Sequence, residues 1–314
     1  MKHVFLIVAY KNIHLLKDLI QTLSLYNGHV IVHFDAKTLL NIEKEFEEEI
    51  NAGKVHFLKN NIKVNWGGTS LIRAVFLMID YALDKFPDEG YYHLLSEQCF
   101  PVKSPGYFAD FFKRNKGINF IKVFKLPFPN WKSGGFNRIN HYHLNDYFNI
   151  KSSNAKRTLW FWSNKFINYL QSITAFKRKY PKKFPTLYGG SIWWSLTYEC
   201  IKYVNDYYKN NDSFRKRFFY TLLPDEILVQ TILMDGPFAE KFRSDDNLRY
   251  IDWRRIKVKG VGILNIEDHW EEIQKPNYLF ARKLNSSDNT FVEKLKKEII
   301  YSTGAEKIKG NSYS

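Results

Sequence analysis

The stretch LLPDEILVQT, residues 222–231, places two acids, Asp225 and Glu226, inside an otherwise apolar run. Pro224 suits the first turn of a helix, where its missing N–H is not needed, and acids beside it sit well at the positive end of the helix dipole. A carboxylate that reaches a hydroxyl can also take its proton, a role typically worth about 10²–10⁴ in rate. Residue types alone leave both readings open.

Few other motifs announce chemistry. The turn after the first apolar run is AYKN, with no G-x-G-x-x-G there and no G-x-x-x-x-G-K-[ST] anywhere, so a dinucleotide site or a P-loop fails at its defining position. Asp35 ends the run VIVHFD, where it can accept from a ribose or base, or simply begin a turn. Cys99 and Cys200 are too far apart for a zinc pair, and the HYH at 141–143 lacks evident partners. No Asp has a second Asp two positions away, and the adjacent acids of SDDN at 244–247 point apart in an extended chain. The sequence announces neither a cofactor nor a divalent metal.

Alternating elements position these groups. HVFLIVAY, HVIVHFD, KVHFL, YYHLLS and INFIKVF read as strands. IHLLKDLIQTLSLY, LLNIEKEFEEEI and SLIRAVFLMIDYALDKF read as helices between them. The alternation predicts an α/β fold, a mostly parallel central sheet flanked by helices. Ligands in such sheets bind beyond the carboxyl ends of the strands, here at Tyr10, Asp35 and Ser96. Beyond residue 125 the pattern loosens, GGSIWWSLTYECIKYVNDYY predicts a strand leading into a helix, and the 222–231 segment predicts another helix. One domain is expected over 1–300, with a nucleotide-binding half (1–125), an acceptor and catalytic half (126–300) and a flexible tail at 301–314.

The chain has 314 residues, 45% of them hydrophobic and 17% aromatic, with a net charge of +15. That is ample for a full core and excludes a disordered chain. The surplus favours anionic partners: nucleic acid, phosphorylated small molecules or anionic lipid. No nucleic-acid motif appears, so a nucleotide ligand is preferred to nucleic acid. Two isolated cysteines suggest a reducing compartment. The apolar start is too short for a signal peptide, and no stretch is long enough to span a membrane.

Seven ordered blocks carry a resemblance: VFLIVAYKN, VIVHFDAKT, VNWGGTSLIRA, HLLSEQCFPVKS, GGSIWWSLTYECIKYV, LPDEILVQTIL and NYLFARKL. Together they resemble the core-2/I-branching N-acetylglucosaminyltransferase family and, more distantly, the peptide O-xylosyltransferases. The resemblance implies a GT-A fold, a UDP-sugar donor, a GlcNAc by preference, and inversion at the anomeric carbon without a metal. It implies Glu226 as general base. It places the donor against Val8, Tyr10, Asp35, Trp66 and Ser96, with Arg254, or Arg255 in the competing register, and Lys283 holding the leaving diphosphate. Fixed cations must neutralise that charge where no metal does, each charged hydrogen bond being worth roughly 1.5–3 kcal/mol. Two positions depart from the family: Cys99 stands where Asp is usual and Glu97 where Gly is usual. Cys99 reads as a small buried hydrophobe.

The resemblance puts the acceptor, a glycan or lipid-linked oligosaccharide, at Trp131, Arg138, Tyr142, Ser191 and Trp193. Core packing is the alternative for Trp193 or Trp194. Between Tyr147 and Tyr198 there is no acid, and Trp160, Phe161, Trp162, Phe166, Tyr169 and Phe176 are interleaved with Lys165, Lys177, Arg178 and Lys179. That pattern suits peripheral contact with an anionic membrane, or a core-packing helix with a basic outer face. The expectation is a bacterial, cytoplasmic enzyme that contacts the inner face of the membrane. The alternative is a non-catalytic carbohydrate- or nucleotide-binding member of the same family.

Overall fold

The computed structural model describes residues 1–88, 90–147, 156–174, 178–254, 261–285 and 290–311. Strand β1 (His3–Ala9) is apolar at every second residue on both faces, as a parallel strand covered on two sides must be. Phe5, Ile7 and Ala9 join one buried cluster, Val4 and Leu6 another. Helix α1 (Ile13–Leu23) packs on the first cluster and leads to β2 (Gly28–Phe34). The charged helix expected next breaks at Phe46 into α2 (Ile42–Glu45) and α3 (Glu47–Asn51), because Phe46 is fully buried with a non-helical backbone. Then come β3 (His56–Phe57), α4 (Thr69–Lys85), β4 (Tyr91–Ser96), β5 (Phe100–Pro101), α5 (Pro105–Arg114) and β6 (Asn119–Lys125).

In the second half, α6 (Phe136–Asn140) and α7 (Lys156–Ile173) precede the long strand β7 (Tyr188–Thr197). Helices α8 (Tyr198–Asn210), α9 (Asp212–Arg217) and α10 (Leu228–Asp235) follow, then β8 (Phe242–Arg243), β9 (Arg249–Ile251), α11 (Ile266–Ile273), β10 (Phe280–Arg282) and α12 (Thr290–Asn311). Helical backbone runs to Asn311, across the segment from 301 where the sequence suggests a flexible tail.

Among the described residues the main sheet has seven strands in the order β3-β2-β1-β4-β7-β6-β8. Four of its pairings are parallel, and β7 runs antiparallel to both β4 and β6. The α/β class and the mostly parallel, helix-flanked sheet are as the alternation predicts. The alternation does not reveal that β7 inserts between β4 and β6 and so brings the second half of the chain into the centre of the sheet. A second sheet, β5-β10-β9, lies beside it. Both core clusters draw residues from each half of the chain.

Candidate active site

Three strand ends meet at one edge. Val8 stands opposite both His33 and Ser96, so Tyr10, Asp35 and Glu97 leave the sheet together. Asp35 is buried, and its Oδ1 accepts from Lys37 N at 2.9 Å and Val64 N at 3.3 Å, while Oδ2 faces Lys37 Nζ at 3.4 Å. This is the turn-forming role anticipated as the alternative for Asp35, and it pins the loop that follows β3. Tyr10 is exposed; its carbonyl accepts from Thr38 Oγ1. The Ser96 hydroxyl accepts from Gln98 N at 3.3 Å inside a buried turn closed by Cys99, which is fully buried as expected.

The pinned loop carries Trp66, half exposed, to the turn of the opening motif: Leu223 N donates to Gly67 O at 2.9 Å and Leu222 N to Arg138 O at 3.0 Å. The motif does not begin a regular α-helix. Pro224–Glu226 form a single 3-10 turn after Leu223, whose φ is 51°, and α10 starts only at Leu228. Neither acid caps that helix, so the helix-start account of these carboxylates does not hold.

The two acids differ in surroundings. Asp225 is buried, its Oδ1 has no partner, and burial beside Glu226 pushes its carboxyl up to about 7. Glu226 keeps 29% of its side chain exposed, and its Oε2 lies 2.6 Å from Arg138 Nη1. Burial raises the Glu226 carboxyl and Arg138 opposes that rise. The Arg138 guanidinium in turn stacks on the Trp131 ring, 3.5 Å from its centroid. Trp131, Arg138 and Glu226 therefore form one column, with Trp131 supporting the cation.

On β7, the Ser191 hydroxyl accepts from Asn247 Nδ2 at 3.0 Å, and the Ser191 carbonyl accepts from Gln230 Nε2 of α10 at 2.7 Å. Two residues along the same strand, about 7 Å at the usual rise, Trp193 lies under the Arg282 guanidinium at 4.2 Å. Trp193 is only 7% exposed. The ring is covered by the guanidinium and nearly buried, as in the core-packing alternative for Trp193, and it seats Arg282. Tyr142 is held from the α7 side, its N–H donating to Gln171 Oε1 at 2.6 Å and its carbonyl accepting from Gln171 Nε2 at 3.1 Å.

The late cations divide. Arg282 ends β10 and Lys283 follows it, and both share a neighbourhood with Lys11 and Glu97. Burial, Arg282 and Lys11 hold the Lys283 amine below its ordinary value, while Glu97 acts against them. Glu97 is 1% exposed, its Oε1 has no partner among the described residues, and burial pushes it up to about 7 despite the three cations. Arg254 leaves the same end of the β9–β10 pair but turns to Asp252, Nε to Oδ1 at 2.8 Å, and to His269 Nε2 at 2.8 Å. It borders a cavity of about 500 Å³ whose walls include Asp252, Glu267, Asp268, Glu271 and Glu272. An exposed guanidinium already matched to a carboxylate, among further acids, is poorly placed to hold a diphosphate. Arg255 lies outside the described residues. Lys11 is the group the motif reading missed, although it sits two residues past a strand end on the edge where ligands are expected; Glu97 stands out in the sequence as a departure from the family pattern. Among the described residues no three His, Cys, Asp or Glu side chains are grouped to hold a metal ion.

Residues 4–275 match the family model described as Core-2/I-Branching enzyme. The chain is similar to Xylosyltransferase oxt of Drosophila pseudoobscura pseudoobscura and of Drosophila melanogaster, 25% identical over 256 residues in each case, covering 79% of this chain and 25% of the relative. A xylosyltransferase of Ciona intestinalis is 22% identical, covering 80% of this chain and 27% of the relative. The chain spans about a quarter of the length of the curated relatives it matches. A crystal structure of mouse xyloside xylosyltransferase 1, apo form, aligns with a TM-score of 0.36 at 10% identity, over 90% of this chain and 97% of that one.

Proposed function

The chain belongs to the core-2/I-branching enzyme family, a glycosyltransferase family, and from that premise we propose an inverting, metal-independent transferase of GT-A type that moves a sugar from a UDP-sugar to a glycan hydroxyl. Glu226 takes the acceptor hydroxyl proton as that oxygen bonds to the anomeric carbon. The bond from that carbon to the diphosphate oxygen breaks, and its electron pair leaves with UDP. Lys283 and Arg282, with Lys11 across the edge, hold the developing charge, and they replace Arg254 in that role. The donor lies along Val8, Tyr10, Asp35, Trp66 and Ser96, and the acceptor approaches past Arg138 and Tyr142. UDP-GlcNAc is the first donor to test, and UDP-xylose the second, since the similar proteins are named xylosyltransferases. Two buried free thiols suit a reducing, cytoplasmic setting.

One observation supports this reading above the others. The Pro-Asp-Glu turn leaves Glu226 partly open, matched by a cation and hydrogen-bonded through Leu223 to the loop from the strand edge. A base must be ionised to act, and Arg138 favours the ionised form. Incubation with each UDP-sugar should give transfer, or slow hydrolysis without acceptor. Glu226→Gln should lose transfer by at least about 10² while UDP still raises the melting temperature. Chelator should leave the rate unchanged. UDP binding without any turnover across a donor and acceptor panel would favour the non-catalytic alternative, and a chelator-sensitive rate would remove the role given to Lys283 and Arg282.

A further inference from the structure

Among the described side chains of helix α7, five large apolar ones face outward. Trp162, Phe166, Tyr169 and Ile173 are 61–62% exposed and Leu170 39%. At 3.6 residues per turn these five fall within an arc of about 100°. Gln171, on the opposite side of the wheel, is buried, at 2%. Water-soluble helices place these classes the other way round. The inward side is anchored, because Gln171 grips both backbone groups of Tyr142.

Charge indicates what the stripe meets. From 147 to 198 the chain carries nine Lys and Arg and no acid. Lys165, Lys179, Lys182 and Lys183 are exposed. Aromatic and aliphatic side chains with lysines around them form the pattern of a helix that lies in a headgroup interface. A second copy of the same face would set these cations against one another, since a two-fold contact is self-matching. No helix among the described residues is long and apolar enough to cross a membrane.

We propose that α7 and the following basic segment dock on an anionic membrane surface, the stripe entering the interface and the lysines meeting lipid phosphates. A cavity of about 330 Å³, lined by Tyr142, Ile167, Leu170, Gln171 and Thr174, joins the stripe to the segment that leads back to Arg138 and Glu226. Docking therefore places the column of Trp131, Arg138 and Glu226 near the bilayer, where a lipid-linked acceptor would be presented. That last step rests on the transferase reading; the docking does not.

The test uses the full chain with phosphatidylglycerol-containing vesicles and with pure phosphatidylcholine vesicles, read by co-sedimentation. Binding to the anionic vesicles that weakens with salt, and little binding to the neutral ones, is the expected result. Phe166→Ser with Ile173→Ser, and separately Lys179→Glu with Lys182→Glu and Lys183→Glu, should each weaken it at least about tenfold with an unchanged melting temperature. If the apolar pair prevents folding, the lysine variant decides. Equal binding to both vesicles, none to either at low salt, variants that bind like the parent, or a concentration-dependent dimer abolished by the same variants would each overturn the proposal. Vesicle binding without sugar transfer would sink the transferase reading alone, and transfer without vesicle binding would sink the docking alone.

Discussion

Glu226 and Arg138 are the pair on which residue-level chemistry turns. Burial raises the Glu226 carboxyl, and Arg138 opposes that rise. Removing that cation as Arg138→Ala should raise the carboxyl further, so the acidic limb of a kcat/KM profile should move to higher pH, with Arg138→Lys between. An unmoved limb would mean that another group titrates. Glu97 makes a second, independent point. In an unfolded chain its carboxyl ionises near 4.5; in the fold it keeps its proton to about 7. The folded state binds more protons between those values, so stability is full below the lower value and falls as pH rises through the window. The loss is on the order of 3 kcal/mol at 1.36 kcal/mol per pH unit. Asp225, raised to about 7 by burial and its neighbour, adds a slope of the same sign. Burial lowers the His3, His33, His93 and His143 imidazoles, which adds a slope of the opposite sign below their ordinary value. The readout is therefore a difference: in urea titrations from pH 5 to 8 the stability of the parent relative to Glu97→Gln should fall as pH rises. A difference that does not fall would show that the Glu97 carboxylate is stabilised in the fold. The motif could be read from sequence as far as Glu226. That Asp225 beside it is sealed and Glu226 open could not, because adjacent residues in a tight turn point different ways according to φ and ψ, here including Leu223 at φ 51°.

At the scale of elements, the helices are held by groups far away in the chain. The N-terminus of α4 begins after Gly68, which has no side chain to cap it. Asp146 supplies the cap: its Oδ2 accepts from Thr69 N at 2.8 Å and from Thr69 Oγ1 at 2.6 Å, and its Oδ1 accepts from Ser70 N at 2.9 Å. The same contact fixes the loop with Trp66, since Asn65 Nδ2 donates to Asp146 O at 2.7 Å. Asp146→Ala should therefore lower stability by about 1–2 kcal/mol. A Cβ on Gly68 would stand 2.3 Å from Asp146 Oδ1, so Gly68→Ala should displace that carboxylate and weaken the same cap. The double variant should lose less than the sum of the two singles in thermal melts; strict additivity would mean that the clash and the cap are unrelated. Periodicity made α4 plain in the sequence, but a cap 76 residues downstream leaves no local sign. The 222–231 segment shows the converse. Proline and acids predict a helix start, yet the chain makes a 3-10 turn because Asp225 is drawn into the interior.

Across the whole molecule, a buried cation ties the two sheets together. Arg249 of β9 is 4% exposed, and burial lowers it to about 9. It donates to Ser195 Oγ and Trp194 O of β7, both at 2.7 Å, and to Leu94 O of β4 at 3.3 Å. Ser195 Oγ also meets His93 Nδ1 at 2.8 Å, and His93 Nε2 meets His3 Nδ1 at 3.1 Å. This polar chain reaches from β9 through β7 and β4 to β1. Arg249→Met has a similar length but no donors, and it should cost at least about 3 kcal/mol, because several buried acceptors would lose their partners together. The readout is the urea midpoint, and a midpoint within error of the parent would show the tie to be dispensable. The same stitching seats β10 and its cations beside β7, the strand that also anchors α10.

Alternating apolar runs were enough to specify an α/β chain with a largely parallel sheet, because side-chain period and burial on both faces are local properties of each run. Ordered motifs were enough to identify the family. The sequence could not show that β7 inserts between β4 and β6, that Trp193 is covered by Arg282, that Arg254 is matched to Asp252, or that the stripe on α7 faces outward. Each of these depends on which distant segments become neighbours, and only tertiary packing decides whether a given aromatic or cation meets water, a carboxylate or the core.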